Sequence, residues 1–297
     1  MSISWINEDH LKSSLTRVFP KSNIKFLPSQ TGSENRHAIV YPKNGNPLFL
    51  KIYASLDRFE TEKEVNNLLG EFAIQDHFIL AERADITDGI AWLAFPMLGL
   101  TATTLSMQTA VQYGELMAMV HSSPLSTKLE VIKPAFLRVE PRLQLLKPFP
   151  LIFERCLALW ERVHPAIDQA LAAYTELPVL LQNDFGERNI FVRRDTGQMV
   201  IIDFERAGVG DTLWELGKLW DRELYEKPSV RSIFLDSYRE KRGLLQNQWP
   251  YLPALWLVRF VATLAIFPYA TRVRDSNFFE HGLFKLGLIE QDISAWC

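Results

Sequence analysis

The chain is poor in the residues that would mark several enzyme classes. It has two cysteines, Cys156 and Cys297, far apart. That excludes a disulfide framework and suits a reducing cytoplasm, where the protein is expected. The six histidines form no H-x-x-x-H pair, so no helical zinc site is expected. No G-x-S-x-G is present, which removes the hydrolase nucleophile elbow. Gly217 and Lys218 resemble the end of a P-loop, but Thr212 stands where its first glycine belongs and Leu219 where Ser or Thr belongs. Charge of one sign is lacking too. The formal charge of −3 gives no global pull toward nucleic acid or anionic membrane, and neither is expected as a partner.

The first residues, MSISWINEDHLKSSL, carry charges where a signal peptide needs an apolar core. The most apolar run, residues 255–270, is interrupted by Arg259. It reads as too short and too broken to span a bilayer, and so as a buried helix. There is no internal repeat and no low-complexity segment. What remains is ordinary for a globular chain: 297 residues, 47% hydrophobic and 23% charged, enough for one or two domains with a large core.

The informative stretch is residues 180–205, LLQNDFGERNIFVRRDTGQMVIIDFE. Residues 179–181 read as a short buried strand, 190–192 as a second and 199–202 as a third. The polar residues 193–198, with Thr196 and Gly197, suit a hairpin between the last two. The hairpin would return Asp203 to the side of Asn189, with Asp184 on the preceding loop. Two carboxylates and an amide converging this way suit Mg²⁺, a hard cation that takes oxygen ligands together with phosphates. Asn189 and Asp203 could supply such oxygens, and Asp184 could accept a proton from an attacking hydroxyl. Each of the three taken alone could equally be capping a turn or ending a strand.

These residues resemble the catalytic segment of the aminoglycoside phosphotransferase and choline kinase-like family, within the protein-kinase-like fold. That family carries H-G-D-x-x-x-x-N followed by I-D-[FW]-E. Here Gln182, Asn183, Asp184 and Asn189 are followed by Ile202, Asp203, Phe204 and Glu205, with Gln182 for the histidine and Asn183 for the glycine. Residues 208–211, GVGD, are similar to the family's G-D-P segment, with Thr212 for the proline. The resemblance implies an α+β, bilobal kinase-like fold. A small N-terminal antiparallel sheet lobe with one main helix would occupy residues 1–95, a hinge 96–99, and a larger, mostly helical lobe 100–297.

The rest of the chain can be laid against that expectation. Residues 7–18 read as an amphipathic helix with Asn7 as N-cap. Residues 25–28 and 36–41 read as strands around a turn holding Gly32, Ser33 and Asn35. Such a turn can aim backbone N–H groups at phosphate oxygens, or be a plain hairpin. It is similar to the family's G-G-x-x-N loop. Residues 47–53, PLFLKIY, alternate as a strand and carry one charge, Lys51. A lysine there is either an edge residue in solvent or needs a partner, and its position resembles the kinase lysine. Residues 56–72 are a helix candidate with Glu60, Glu62 and Glu64. The resemblance implies Glu64 as the partner of Lys51, with Glu60 a rival. Residues 78–84 and 90–95 read as strands joined by a turn at 85–89. Pro96, Met97 and Leu98 then fall at the family's adenine-binding hinge. Pro96 has no N–H and could only accept, leaving Met97 or Leu98 to donate.

Further on, 109–121 reads as a buried helix with His121 a structural residue near its end, and 134–150 as an irregular connection. Helices are expected at 151–174, 211–225 (N-capped by Asp211), 230–239, 251–267 and 279–294. Trp214, Trp220, Tyr225 and Trp256, with Glu215, Asp221, Glu223 and Glu226, suit a cationic acceptor, since aromatic faces and carboxylates both attract ammonium groups. They could as well be core and solvated face.

Taken together, the resemblance implies an ATP- and Mg²⁺-dependent phosphotransferase acting on a hydroxyl of a small, cationic molecule such as an aminoglycoside, as monomer or homodimer. Alternatives are a metabolic kinase for choline, ethanolamine, homoserine or a sugar, a protein kinase, or a nucleotide-binding pseudokinase. The protein kinase is disfavoured because H-R-D, D-F-G and A-P-E are all missing.

Overall fold

The structure is a computed structural model that describes residues 7–28, 35–71, 75–172, 176–244 and 252–293. It divides into two compact units. The first comprises Met1–Thr104, Ser122–Glu130 and Gln182–Gly208, and the second Leu105–His121, Val131–Leu181 and Val209–Cys297.

The first unit is built on an antiparallel sheet of β1 (Asn23–Phe26), β2 (Arg36–Tyr41), β3 (Leu48–Ile52), β4 (Arg83–Thr87) and β5 (Ile90–Pro96), in the order β1-β2-β3-β5-β4. Side chains alternate across a strand, so the sheet has two faces to cover. One face, with Ala38, Val40, Leu50, Ile52, Trp92 and Ala94, packs on Leu11, Leu15 and Phe19 from α1 (Glu8–Val18) and its end. Asn7 caps that helix by accepting from the Asp9 N–H, as its sequence suggests. The other face, with Ala91, Leu93, Phe95 and Tyr53, takes Phe59 of α2 (Leu56–Gly70). In α2, Phe59, Val65 and Leu69 are buried at helical spacing, each contributing about 1.5–3 kcal/mol.

Strand β4 lies later than expected, at Arg83–Thr87 rather than from residue 78. The turn is the two-residue one at Asp88 and Gly89, both with positive φ (52° and 77°), and Thr87 pairs directly with Ile90. Asp-Gly in that conformation is the favoured tight hairpin, and it draws the strand up to the turn. Phe78 instead bridges to Ile201. A three-stranded sheet completes the unit: β6 (Leu100–Ala102), β8 (Ile190–Arg193) and β9 (Met199–Ile201), with β8 and β9 forming the expected hairpin.

The second unit is mostly helical: α3 (Ala110–His121), α4 (Phe136–Gln144), α5 (Pro150–Ala172), α6 (Thr212–Leu219), α7 (Pro228–Arg242), α8 (Leu252–Leu264), α9 (Ile266–Val273) and α10 (Ser276–Ile293). Strands β7 (Val179–Leu181) and β10 (Gly208–Gly210) pair at its edge. Asp211 caps α6 by accepting from the Leu213 N–H.

Helix α4 corrects the irregular connection expected at 134–150. Its amphipathic pattern buries Val139 and Leu143 despite Pro141, and Pro150 starts α5, where a missing N–H costs nothing. The helix expected over 251–267 ends at Leu264, because Pro268 has no N–H to return to the Leu264 carbonyl. The stretch Pro253–Val273 is long and apolar enough to span a bilayer, contrary to the expectation that it is too short. Yet most of this stretch is buried in the protein, and the buried Arg259 within it pairs with Asp221 and Asp292. It is core.

Candidate active site

Within the first unit, Lys51 is the hub. On β3, Leu50 and Ile52 face α1, so the alternation turns Phe49, Lys51 and Tyr53 toward α2. The Lys51 Nζ lies 2.7 Å from Glu62 Oε2, 2.6 Å from Asp203 Oδ1 and 3.0 Å from Glu205 Oε2. Burial alone would lower the ammonium's pKa, but the three carboxylates outweigh it and hold it above its ordinary value. Glu62 also accepts from the Tyr53 hydroxyl at 2.5 Å and from the Phe204 N–H at 3.2 Å. Full burial raises its carboxyl, and burial likewise raises the Tyr53 phenol, helped by Glu62.

The helix glutamate is therefore Glu62, which corrects the expectation of Glu64. Glu62 is in phase with Phe59, Val65 and Leu69 on the buried stripe of α2. Glu64 lies two residues, about 200°, round the helix. It takes the Ser126 hydroxyl at 2.6 Å and Lys128 at 3.0 Å, and its pKa is lowered by the Ser126 hydrogen bond first. Glu60 pairs with Lys63 at 3.6 Å. The buried phase was visible in the sequence as the spacing of Phe59, Val65 and Leu69.

Glu205, to which the motif assigns no role of its own, joins the cluster. It accepts from Asn35 Nδ2 and faces Arg58 Nη1 at 3.2 Å. Burial would raise its carboxyl, but Lys51, Arg58 and Asn35 together hold it below its ordinary value. Asn35 in turn accepts the Ala54 N–H at 3.1 Å.

The loop that carries Asp184 is braced by Gln182. Its Oε1 accepts the Asp184 N–H at 2.8 Å, and its Nε2 donates to the Asp203 carbonyl at 2.7 Å and the Ile202 carbonyl at 3.2 Å. An amide, which both donates and accepts, thus ties the two motifs together from the position where the resemblance implies histidine. Asn183 has φ 63°, the left-handed region that favours glycine and tolerates asparagine best among the rest. That accounts for Asn at the family's glycine position. Asp203 shares that conformation, φ 67°, where the chain leaves β9. Asn189 Nδ2 donates to the Asp184 carbonyl at 3.0 Å, and the Ile202 N–H reaches the Asn189 carbonyl at 2.9 Å. Arg188, which the motif spacing does not single out, pairs with Asp184 Oδ2.

The oxygens of Glu62, Asp203 and Glu205 lie within 4.8 Å of one another, close enough for a metal ion, but Lys51 already lies against all three. Asn189 and Asp203 offer an amide and a carboxylate oxygen, a donor set that suits Mg²⁺. Gly32 and Ser33 lie outside the described residues. At the expected adenine segment, Pro96 ends β5 opposite Leu48, and the Met97 N–H donates to the Pro47 carbonyl at 3.1 Å. Of the two expected donors, Leu98 is then the one whose N–H is not taken up by Pro47.

In the second unit, His121 is buried between the Tyr238 hydroxyl (2.7 Å) and Glu215 (2.9 Å), a structural residue. The aromatics and acids read as suited to a cationic acceptor are largely engaged by the chain itself. Arg138 lies over Trp214 at 4.2 Å, Arg231 over Trp220 at 4.4 Å and Arg259 over Tyr225 at 3.9 Å. Asp221 pairs with Arg259 and Lys285, and the Trp256 N–H donates to the Ile289 carbonyl.

A strand lysine fixed by a helix glutamate, with a loop aspartate and asparagine tied to a strand-end Asp-Phe-Glu, is the arrangement of a kinase-type phosphotransferase on a protein-kinase-like α+β fold. Sequence comparison agrees. The model of the phosphotransferase enzyme family matches residues 29–249, and the chain belongs to that family. A search of curated proteins gave no match. Among solved structures, the chain is similar to aminoglycoside 2'-phosphotransferase-IIIa in its GDP complex, with 16% identity and a TM-score of 0.69 over 97% of this chain and 99% of that one. The choline kinase LicA from Streptococcus pneumoniae gives 12% and 0.62 over 94% and 98%. Macrolide 2'-phosphotransferase MphH from Brachybacterium faecium gives 18% and 0.60 over 94% and 98%. At such identities these likenesses establish the fold.

Proposed function

We propose that the protein is a cytoplasmic small-molecule kinase that moves the γ-phosphate of ATP to a hydroxyl group. The observation that carries this reading is Lys51 paired at once with Glu62 and Asp203, in the unit that holds Asp184 on the Gln182 brace. Phosphoryl transfer is mostly positioning and charge neutralisation. Lys51 binds the phosphates, and Glu62 keeps it extended from β3. Asn189 and Asp203 hold Mg²⁺, which neutralises phosphate charge when bound. Asp184 orients the acceptor hydroxyl and takes its proton. Pro96 offers its carbonyl and Leu98 its N–H to the base.

For the acceptor, the likenesses point to small alcohols, since the solved relatives are named for aminoglycosides, choline and macrolides. We favour an aminoglycoside-like molecule, with choline, ethanolamine, homoserine or a sugar as the metabolic alternative. The aromatic and acidic residues of the helical unit no longer favour a cation, because the chain's own arginines and lysines occupy most of them. The test is a coupled assay of ATP and GTP consumption over those acceptors, with Asp184→Asn beside wild type. The variant should lose about 10²–10⁴-fold in turnover while still binding nucleotide. Equal turnover by the two proteins would reject the assignment.

A further inference from the structure

The three carboxylates around Lys51 are not equivalent. Asp203 keeps 35% of its side chain exposed, whereas Glu62 and Glu205 keep 3% and 8%. Asp203 is thus the member that solvent and a bound cation can reach, and a divalent ion on it would push the ammonium away. Glu205 is held on both oxygens. One faces Arg58 Nη1, and the other takes Asn35 and Lys51. Asn35 also binds the Ala54 N–H, just beyond β3, and directly follows residues 29–34. Side chains from β3, from α2 and from the start of β2 therefore meet on this one carboxylate.

We infer that Glu205 is a positioning residue that keeps Lys51 directed at the nucleotide phosphates while Asp203 serves the metal, with Asn35 and Arg58 holding Glu205 in that role. This rests on the nucleotide-dependent function proposed above. The competing role, Glu205 as a metal ligand, would set a divalent cation against a carboxylate that already faces the Lys51 ammonium and the Arg58 guanidinium.

The two roles separate by experiment. Glu205→Gln keeps the shape and can still accept from Asn35, but removes the charge opposite Lys51. A charged hydrogen bond exceeds a neutral one by enough to change an equilibrium about tenfold. ATP affinity, measured by calorimetry, should therefore weaken about tenfold in Glu205→Gln, with the Mg²⁺ concentration at half-maximal ATP binding unchanged. Asn35→Ala should weaken ATP in the same sense. The double variant should lose less than the sum of the two single losses, because Asn35 acts on Lys51 through the side chain at position 205. A larger shift in Mg²⁺ demand than in ATP affinity overturns the inference in favour of a metal ligand. Wild-type ATP affinity in either variant, or full additivity, also overturns it. If Glu205→Gln does not fold, Asn35→Ala decides alone. Absence of nucleotide binding by the wild type would overturn the proposed function, and this inference with it. Wild-type binding with unaltered variants would overturn only the inference.

Discussion

The choice of Glu62 over Glu64 gives the sharpest test of the site. Glu62 Oε2 lies 2.7 Å from the Lys51 ammonium, and both side chains are almost fully buried. At an effective dielectric constant of about 20 the gross attraction is about 6 kcal/mol. Desolvation cancels much of it, and breaking a buried pair typically costs about 3–5 kcal/mol. That figure is an upper bound here, because Lys51 keeps Asp203 at 2.6 Å and Glu205 at 3.0 Å. Glu62→Gln, which fills the same space and retains one acceptor oxygen, should lower stability by about 2–3 kcal/mol. As Lys51 loses its anchor, ATP affinity should fall by about ten- to thirtyfold. Glu64 pairs with a lysine that is 76% exposed. Such pairs are worth about 0–1 kcal/mol, so Glu64→Gln should leave ATP affinity within about fivefold. Urea titrations give the stabilities and calorimetry the affinities. Glu64→Gln weakening ATP as much as Glu62→Gln, or a folded Glu62→Gln with wild-type affinity, would refute the reasoning.

Other outcomes follow from the same geometry. Gln182→Ala removes the partner of one N–H and two carbonyls at a fully buried position, at about 1–3 kcal/mol for each group stranded. The urea midpoint should fall, and Gln182→His should recover part of it. A Cβ on Gly217 would stand 2.5 Å from Val258 Cβ, so Gly217→Ala should destabilise by about 1–3 kcal/mol or more. Gly287 in α10 has nothing within 4 Å of that position, so Gly287→Ala should be neutral or stabilise by up to about 1 kcal/mol. Thermal unfolding distinguishes the two. Burial pushes the Cys156 thiol up to about 12. The folded chain then holds a proton that the unfolded chain loses from about pH 8.5, so stability falls as pH rises above that value. The slope is at most about 1.4 kcal/mol per pH unit, and Cys156→Ala should flatten it in urea midpoints compared at about pH 8 and pH 10.

What could be read in advance was what local periodicity controls. The two-residue alternation of β3 sets Lys51 on the face opposite Leu50 and Ile52, and the spacing of Asp184, Asn189 and Asp203 around a hairpin is a property of the chain alone. Capping by Asn7 and Asp211 is equally local. The tight Asp-Gly turn was also there to be read, and overlooking it misplaced β4. The rest was decided by packing between residues distant in sequence. The spacing of Phe59, Val65 and Leu69 singles out the phase of Glu62 on α2, but only packing against the sheet brings its carboxylate to Lys51. Gln182 acquires its function from carbonyls about twenty residues away. Aromatic and acidic side chains that could have received a cationic ligand are taken by Arg138, Arg231, Arg259 and Lys285, which approach from other helices. The sequence alone determined which groups could do chemistry, because composition and short-range geometry are written residue by residue. Only the tertiary structure decided which groups face one another, because ion pairs and hydrogen bonds depend on distances of a few ångströms that no local pattern fixes.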